Sequence, residues 1–318
     1  MDLIRFNPIE NSAIKMGLNE VTEMETSMLR VYRDILEKEK VDSKFFNVLL
    51  VTEPRCVMPW QYREEVLEKF NLVVTFGPWR ADNLGVEKWV WQPYDWKSLK
   101  PEVGFRRERS IVLVNSNKFG VGNSSLYGLR RETIQLFDSN KIDLTVFGHN
   151  WAMPIALELR KRFYSFRKSI RYGQKKAFTE SFSHFTMTPR NYLGQCRDKI
   201  RTISKFEYSL VIENDLDSLT EKLFDAITAQ TIPIYIGPNL REFEFLESCV
   251  IRSKPNSAAI LETFQEITPD DVKRVRHGMK QIHRNSEQIS EWKTSSVMKK
   301  LGRIIGESWG LRANNVLN

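Results

Sequence analysis

Residues 206–238 read Phe206-Glu-Tyr-Ser-Leu-Val-Ile-Glu-Asn-Asp-Leu-Asp-Ser-Leu-Thr-Glu-Lys-Leu-Phe-Asp-Ala-Ile-Thr-Ala-Gln-Thr-Ile-Pro-Ile-Tyr-Ile-Gly-Pro238. Phe206 to Glu213 is a short, largely apolar run and reads as a buried strand. From Leu219 to Gln230 the apolar residues Leu219, Leu223, Ala226 and Ile227 fall on one stripe of a helix. Ile232 to Ile236 reads as a second strand, stopped at Gly237. Strand, short loop, helix, strand is a βαβ crossover, the unit of a parallel sheet. Asp217 or Ser218 is placed to cap the helix, as short side-chain oxygens do. Glu221 and Lys222 then lie in its first turn. A helix N-terminus offers free N–H groups and a partial positive charge, and Lys222 adds a full one. The loop therefore has the makings of a diphosphate site.

The same alternation extends outward. Phe46–Val51 reads as a buried strand, Gln61–Phe70 as a helix, and Asn71–Phe76 as a strand ended by Gly77-Pro78. From Trp79 to Arg109 the pattern dissolves into Pro, Trp and charge, and a domain junction is expected over 97–109. Ile111–Val114 (strand), Ser124–Phe137 (helix) and Asp143–Phe147 (strand) then begin a second α/β run. Cys249–Ile251 adds a further strand, and helices follow from Pro269 to about Ser308. Two such halves predict an α/β fold of two facing Rossmann-like domains with C-terminal helices. The expected boundaries are an N-terminal, acceptor-side domain over 1–100, a nucleotide-binding domain over 101–275, and helices over 276–318.

The composition is that of a globular protein, with 41% hydrophobic and 28% charged residues in 318. Lys and Arg outnumber Asp and Glu by 48 to 40, a net charge of +8. The excess crowds into Arg160, Lys161, Arg162, Arg167, Lys168, Arg171, Lys175 and Lys176. This run reads as a solvated helical face, or as a patch for an anionic membrane or anionic acceptor. No zinc-finger or RNA-recognition signature accompanies it, so nucleic acid is not an expected partner. Cys56, Cys196 and Cys249 have neither zinc spacing nor a disulfide framework. No signal peptide and no apolar run near the roughly 20 residues of a membrane span is present. A soluble cytoplasmic protein is expected.

Glu213-Asn214, Thr220-Glu221-Lys222 and Pro233…Gly237 occur in order on one strand-helix-strand unit. Together they resemble the donor-binding signature of the α-1,3/4-fucosyltransferase family, glycosyltransferase family 10. Glu53-Pro54 followed by Phe70-Asn71-Leu72 and Gly77 is similar to the N-domain pattern of its bacterial members. Val114-Asn115-Ser116-Asn117 before a helix bearing Arg130-Arg131 is similar to the opening of its donor domain. The resemblance touches most of residues 45–250. It implies a GT-B architecture and an inverting transfer of L-fucose from GDP-fucose to a hydroxyl of a glycan. It implies that Glu221 contacts the sugar or ribose and that Lys222 holds the diphosphate. Arg131, with Arg130 equally placed, matches the arginine on the donor phosphates. Glu213, Asn214, Ser218 and Thr220 complete the donor-binding set, and Glu53 matches the general base, a role suited to a carboxylate. No cofactor beyond the donor is implied.

The sequence departs from the family pattern in places. The loop between Asn214 and Thr220 is short, and Ser218 stands where many members have Tyr. This leaves open the same fold acting on another GDP- or UDP-sugar. A non-catalytic basic protein binding nucleic acid or anionic membrane is the reading from a different class. Asp215-Leu216-Asp217 spells the D-x-D pattern by which other glycosyltransferases hold a divalent cation. It lies inside the stronger motif, where Asp217 has a capping use, so a metal-independent enzyme is expected. His149, His184, His277 and His283 show no ligand spacing.

Overall fold

Phe46–Val51 is apolar at nearly every position because it lies inside a parallel sheet and is buried on both faces. The computed structural model describes residues 1–22, 27–96, 110–122, 124–173, 185, 187–240 and 244–316. The chain divides into two compact units, Met1–Asp95 with Glu287–Asn318, and Trp96–Ser286. The junction expected over 97–109 lies outside the described residues.

In the first unit β1 (Asp2–Ile4), α1 (Pro8–Asn19), β2 (Leu29–Arg33), β3 (Phe46–Val51), α2 (Glu64–Leu67), β4 (Leu72–Phe76), α3 (Pro78–Leu84) and β5 (Trp89–Val90) follow in order. The second unit holds β6 (Ile111–Val114), α4 (Tyr127–Ser139), β7 (Leu144–Phe147), α5 (Ile155–Arg171), β8 (Asn191–Tyr192) and α6 (Lys199–Ile203). It continues with β9 (Tyr208–Ile212), α7 (Glu221–Thr228), β10 (Ile232–Ile236), α8 (Glu244–Glu247), β11 (Ile251–Arg252), α9 (Ser257–Glu266) and α10 (Pro269–Arg284). Then α11 (Ser286–Glu291) leads back to the first unit, which α12 (Thr294–Val316) completes.

The helices expected over 276–318 are thus divided between the units. The reason is the apolar face of α12. Val297, Met298, Leu301 and Ile305 pack with Ala13, Ile14 and Leu18 of α1 against Val31, Val48 and Val74 of the sheet. The two helices cross so closely that a Cβ on Gly17 would lie 1.9 Å from the Lys299 carbonyl oxygen. One on Gly302 would lie 2.1 Å from that of Ile14. Only glycine permits that approach. The helix expected over Gln61–Phe70 forms as a 3₁₀ turn, Pro59–Tyr62, and the short α2, because Arg63 between them is extended.

Both sheets are parallel throughout. The first runs β1-β2-β3-β4-β5 and the second β11-β10-β9-β6-β7-β8. In the second unit the chain starts at β6, moves outward through β7 and β8, and returns on the other side as β9. The strand order therefore reverses between β6 and β9, the kind of switch point beyond whose strand ends open parallel sheets bind ligands. No helix among the described residues is long and apolar enough to cross a membrane.

Candidate nucleotide-binding site

The loop leaving β6 is stitched to its neighbours on both sides. The Asn115 N–H donates to the Phe147 carbonyl at 3.0 Å, and the Asn117 N–H to that of His149 at 2.9 Å. The Leu126 N–H donates to the Asn214 carbonyl at 2.9 Å, which joins the loop to the end of β9. Gly148 sits against it at φ +137, where a Cβ would fall 2.0 Å from the Asn115 carbonyl oxygen. From the far side, α5 holds the loop with hydroxyls. Ser165 Oγ donates to the Gly120 carbonyl at 2.5 Å, and Ser169 Oγ accepts from the Gly122 N–H at 3.3 Å. The same face of α5 buries an ion pair, Arg162 to Glu158 at 2.6 Å. The loop after β6 is therefore fixed at the switch point by hydrogen bonds from both sides.

The two candidate arginines take different places, as adjacent residues on a helix must. Arg130 is buried and is used by the protein itself. Its Nη2 donates to the carbonyls of Ile212 and Glu213 at 2.8 and 2.7 Å and to Asn214 Oδ1 at 3.1 Å, so it pins the end of β9. Arg131 is also buried, with a relative exposure of 6%. Its Nη1 donates to Asn117 Oδ1 at 3.1 Å and to the Lys118 carbonyl at 3.0 Å, and its Nε is buried with no partner. No carboxylate is paired with it among the described residues. Burial, and then the neighbouring charge of Arg162, push Arg131 down to about 9. A guanidinium does not give up its proton in a protein under ordinary conditions. The depressed value therefore reports buried positive charge that the nearby Glu158 offsets only in part.

At the end of β9 the Glu213 side chain is fully buried. Its Oε1 accepts from the Thr220 N–H at 3.1 Å and its Oε2 from the Thr220 hydroxyl at 2.5 Å. Burial raises the Glu213 carboxyl, and Lys222 works against that rise. Lys222 Nζ donates to Thr220 Oγ1 at 2.7 Å and to Glu213 Oε2 at 3.5 Å. Its third N–H has no acceptor among the described residues. The cap expected from Asp217 or Ser218 forms otherwise. The helix starts at Glu221 with Thr220 as its N-cap, and the Glu213 carboxylate reaches Thr220 from the adjoining strand. Asp215 Oδ1 instead accepts from the Asp217 N–H at 3.1 Å, and Ser218 is buried within the loop.

Glu221 faces outward beside this cluster. Partial desolvation raises its carboxyl, but the charges of Lys222 and Lys199 outweigh it and hold it at about 2. Lys199 on α6 bridges Glu221 at 3.2 Å and Asp225 at 2.6 Å. The second unit thus brings Arg130, Arg131, Glu213, Asn214, Thr220, Glu221 and Lys222 to the carboxyl ends of β6 and β9. Three are used structurally: Arg130, Glu213 and Thr220. Arg131 and Lys222 keep unsatisfied donors, and the Arg130 Nε is also buried without a hydrogen-bond partner. Among the described residues no group of His, Cys, Asp and Glu is arranged to hold a metal ion.

Glu53 lies in the first unit, half-buried, just beyond the carboxyl end of β3. The backbone that carries it is fixed from several directions. The Glu53 N–H donates to Asp34 Oδ1 at 3.0 Å, and the Thr52 N–H to the same oxygen at 2.8 Å. The Glu53 carbonyl accepts from Gln61 Nε2 and from the Tyr62 hydroxyl, each at 3.0 Å. The buried Arg80 donates to the Val51 carbonyl at 3.2 Å and to that of Thr52. No local pattern announces Asp34 or Arg80, because their partners are remote in sequence.

No protein-family model and no curated protein sequence matches the chain. Solved structures do. An α,α-trehalose-6-phosphate synthase from Burkholderia multivorans matches over 98% of this chain and 79% of its own, at 9% identity and a TM-score of 0.55. The fold is that of the GT-B glycosyltransferases. An α1,3-fucosyltransferase with GDP aligns over 87% of this chain and 80% of its own, at 12% identity and a TM-score of 0.45. A pneumococcal O-GlcNAc transferase in complex with UDP and GlcNAc aligns over 84% of this chain, at 12% identity and a TM-score of 0.48. The chain spans about half, 53%, of that protein's length.

Proposed function

We propose that the protein is an inverting glycosyltransferase that transfers L-fucose from GDP-fucose to a hydroxyl of an acceptor glycan. The observation that carries the reading is the buried charge of Arg131 at the switch point, with its Nε unpartnered and no carboxylate paired with it among the described residues. It shares that end of the sheet with the spare N–H of Lys222 and the N-terminus of α7. A diphosphate is the ligand such a set of donors fits. The GT-B fold and the Glu213–Gly237 signature supply the sugar-transfer part of the assignment.

In this mechanism the Glu53 carboxylate takes the proton from the acceptor hydroxyl. The oxygen attacks the anomeric carbon in line, the bond to the diphosphate breaks, and the configuration inverts. The growing charge on the leaving nucleoside diphosphate is met by Arg131, Lys222 and the α7 N–H groups, with no metal ion required. Such preorganised donors act most strongly where charge develops. Arg130 and Glu213 support them, one by pinning the end of β9 and the other by fixing Thr220 and Lys222. Incubation with GDP-fucose and a panel of N-acetyllactosamine acceptors, read by mass spectrometry, tests the reading. The expected result is one added deoxyhexose and released GDP, and no transfer to any acceptor refutes it.

A second reading keeps the enzyme and changes the sugar. Its support is Ser218, buried in a loop where many fucosyltransferases carry Tyr. Thermal-shift screening of GDP- and UDP-sugars separates the two. Stabilisation by GDP or UDP, but by no fucose donor, favours the second.

A further inference from the structure

Helix α5 is turned inside out. Its buried face is polar, made of Glu158, Arg162, Ser165 and Ser169. Ser165 and Ser169 hold the loop after β6, as described above. One exposed flank carries large apolar residues. Ile155 is 66% exposed, Leu159 42%, Phe163 54% and Ile170 64%. At 100° per residue Ile155, Leu159, Phe163 and Ile170 fall within one arc of about 80°. Arg160, Arg167 and Arg171 form a ridge along the next 40° or so, on the outermost line of the helix, and all are exposed. A contiguous apolar strip beside a row of arginines marks a surface meant to be covered.

We propose that this face of α5 docks on an anionic lipid membrane, lying in the plane of the interface. Leu159, Phe163 and Ile170 enter the acyl boundary, and Arg160, Arg167 and Arg171 meet the phosphate headgroups. Charge complementarity selects the occupant. A two-fold copy of the same face would set the arginine row against itself, a repulsive arrangement. A nucleic acid would match the arginines but leave the aliphatic strip in water. An anionic bilayer satisfies both. The docked helix is also the one whose inner serines fix the Gly120–Gly122 loop, so the proposal brings the candidate nucleotide site to a membrane surface. It does not depend on the identity of the sugar.

The test is co-sedimentation of the full chain with vesicles of phosphatidylcholine alone or mixed with phosphatidylglycerol. Two variants accompany it, R160E/R167E/R171E and L159S/F163S/I170S, each checked by circular dichroism and thermal melting. All six positions are exposed, so folding is expected to survive. Wild type is expected on the anionic vesicles and not on the neutral ones. A basic side chain near an anionic surface is worth on the order of fivefold in partitioning, so reversing the arginines lowers binding by about a hundredfold or more. The apolar variant loses at least tenfold. Absence of wild-type binding to anionic vesicles overturns the proposal. So does undiminished binding by either folded variant, or retention on duplex DNA with none on lipid.

Discussion

Replacing Arg131 by Met separates what the residue costs the fold from what it does for a ligand. The side chain is buried, its Nε is unpartnered, and burial pushes its value down to about 9, some three and a half units below the ordinary one. At about 1.4 kcal/mol for each unit, that is about 5 kcal/mol of unfavourable charge in the ligand-free fold. The hydrogen bonds to Asn117 and to the Lys118 carbonyl return part of it, roughly 1–1.5 kcal/mol each. Met keeps the volume without the charge, so Arg131→Met is expected to stabilise the free protein by about 2 kcal/mol, a rise in Tm of about 4–8 °C. The same variant should lose the stabilisation that GDP gives wild type. Differential scanning calorimetry with and without GDP reads all of this. A variant that melts below wild type and keeps the full GDP shift would refute the reasoning.

Other predictions follow from the same geometry. Lys222→Ala should lower turnover about 100-fold, the usual effect of removing one stabiliser of developing charge. EDTA should leave the wild-type rate unchanged, and loss of activity restored by manganese would return Asp215 and Asp217 to the role of metal ligands. Glu53→Gln should lower kcat by about 10²–10⁴-fold, the range for a general base, while calorimetric GDP binding stays as in wild type. Glu221 is held at about 2, below its ordinary 4.5, so its contribution to stability is complete above 4.5 and disappears as pH falls through about 2. The urea midpoints of wild type and Glu221→Gln should differ at neutral pH and converge in that acid window.

The buried strands were legible because burial on both faces demands continuous apolar runs. Phe46–Val51 and Ile232–Ile236 were read from sequence with their observed limits. Leu29–Arg33 alternates apolar with Arg, and Asn191–Tyr192 is two residues long, so neither gave a comparable signal. The start of α7 was misread for a tertiary reason. The group that receives the Thr220 N–H is Glu213 on the adjoining strand, which local capping patterns do not reveal. Sequence placed Arg130 and Arg131 together, but only their directions on α4 tell the one spent on β9 carbonyls from the one turned to the loop after β6. The basic run of α5 reads in sequence as a solvated face or as a patch for an anionic membrane or acceptor. Arg162 within it is buried against Glu158, while the apolar residues between the charges face water.

The central claim is that the switch point between β6 and β9 binds a nucleoside diphosphate through Arg131 and Lys222. Calorimetric titration of GDP and UDP into wild type, Arg131→Met, Lys222→Met and Glu53→Gln tests it most directly. The account predicts one site per chain for at least one of the two nucleotides, strongly weakened in the Arg131 and Lys222 variants and kept in the Glu53 variant. Binding of neither nucleotide to wild type, or binding that both of those variants leave unchanged, would contradict it.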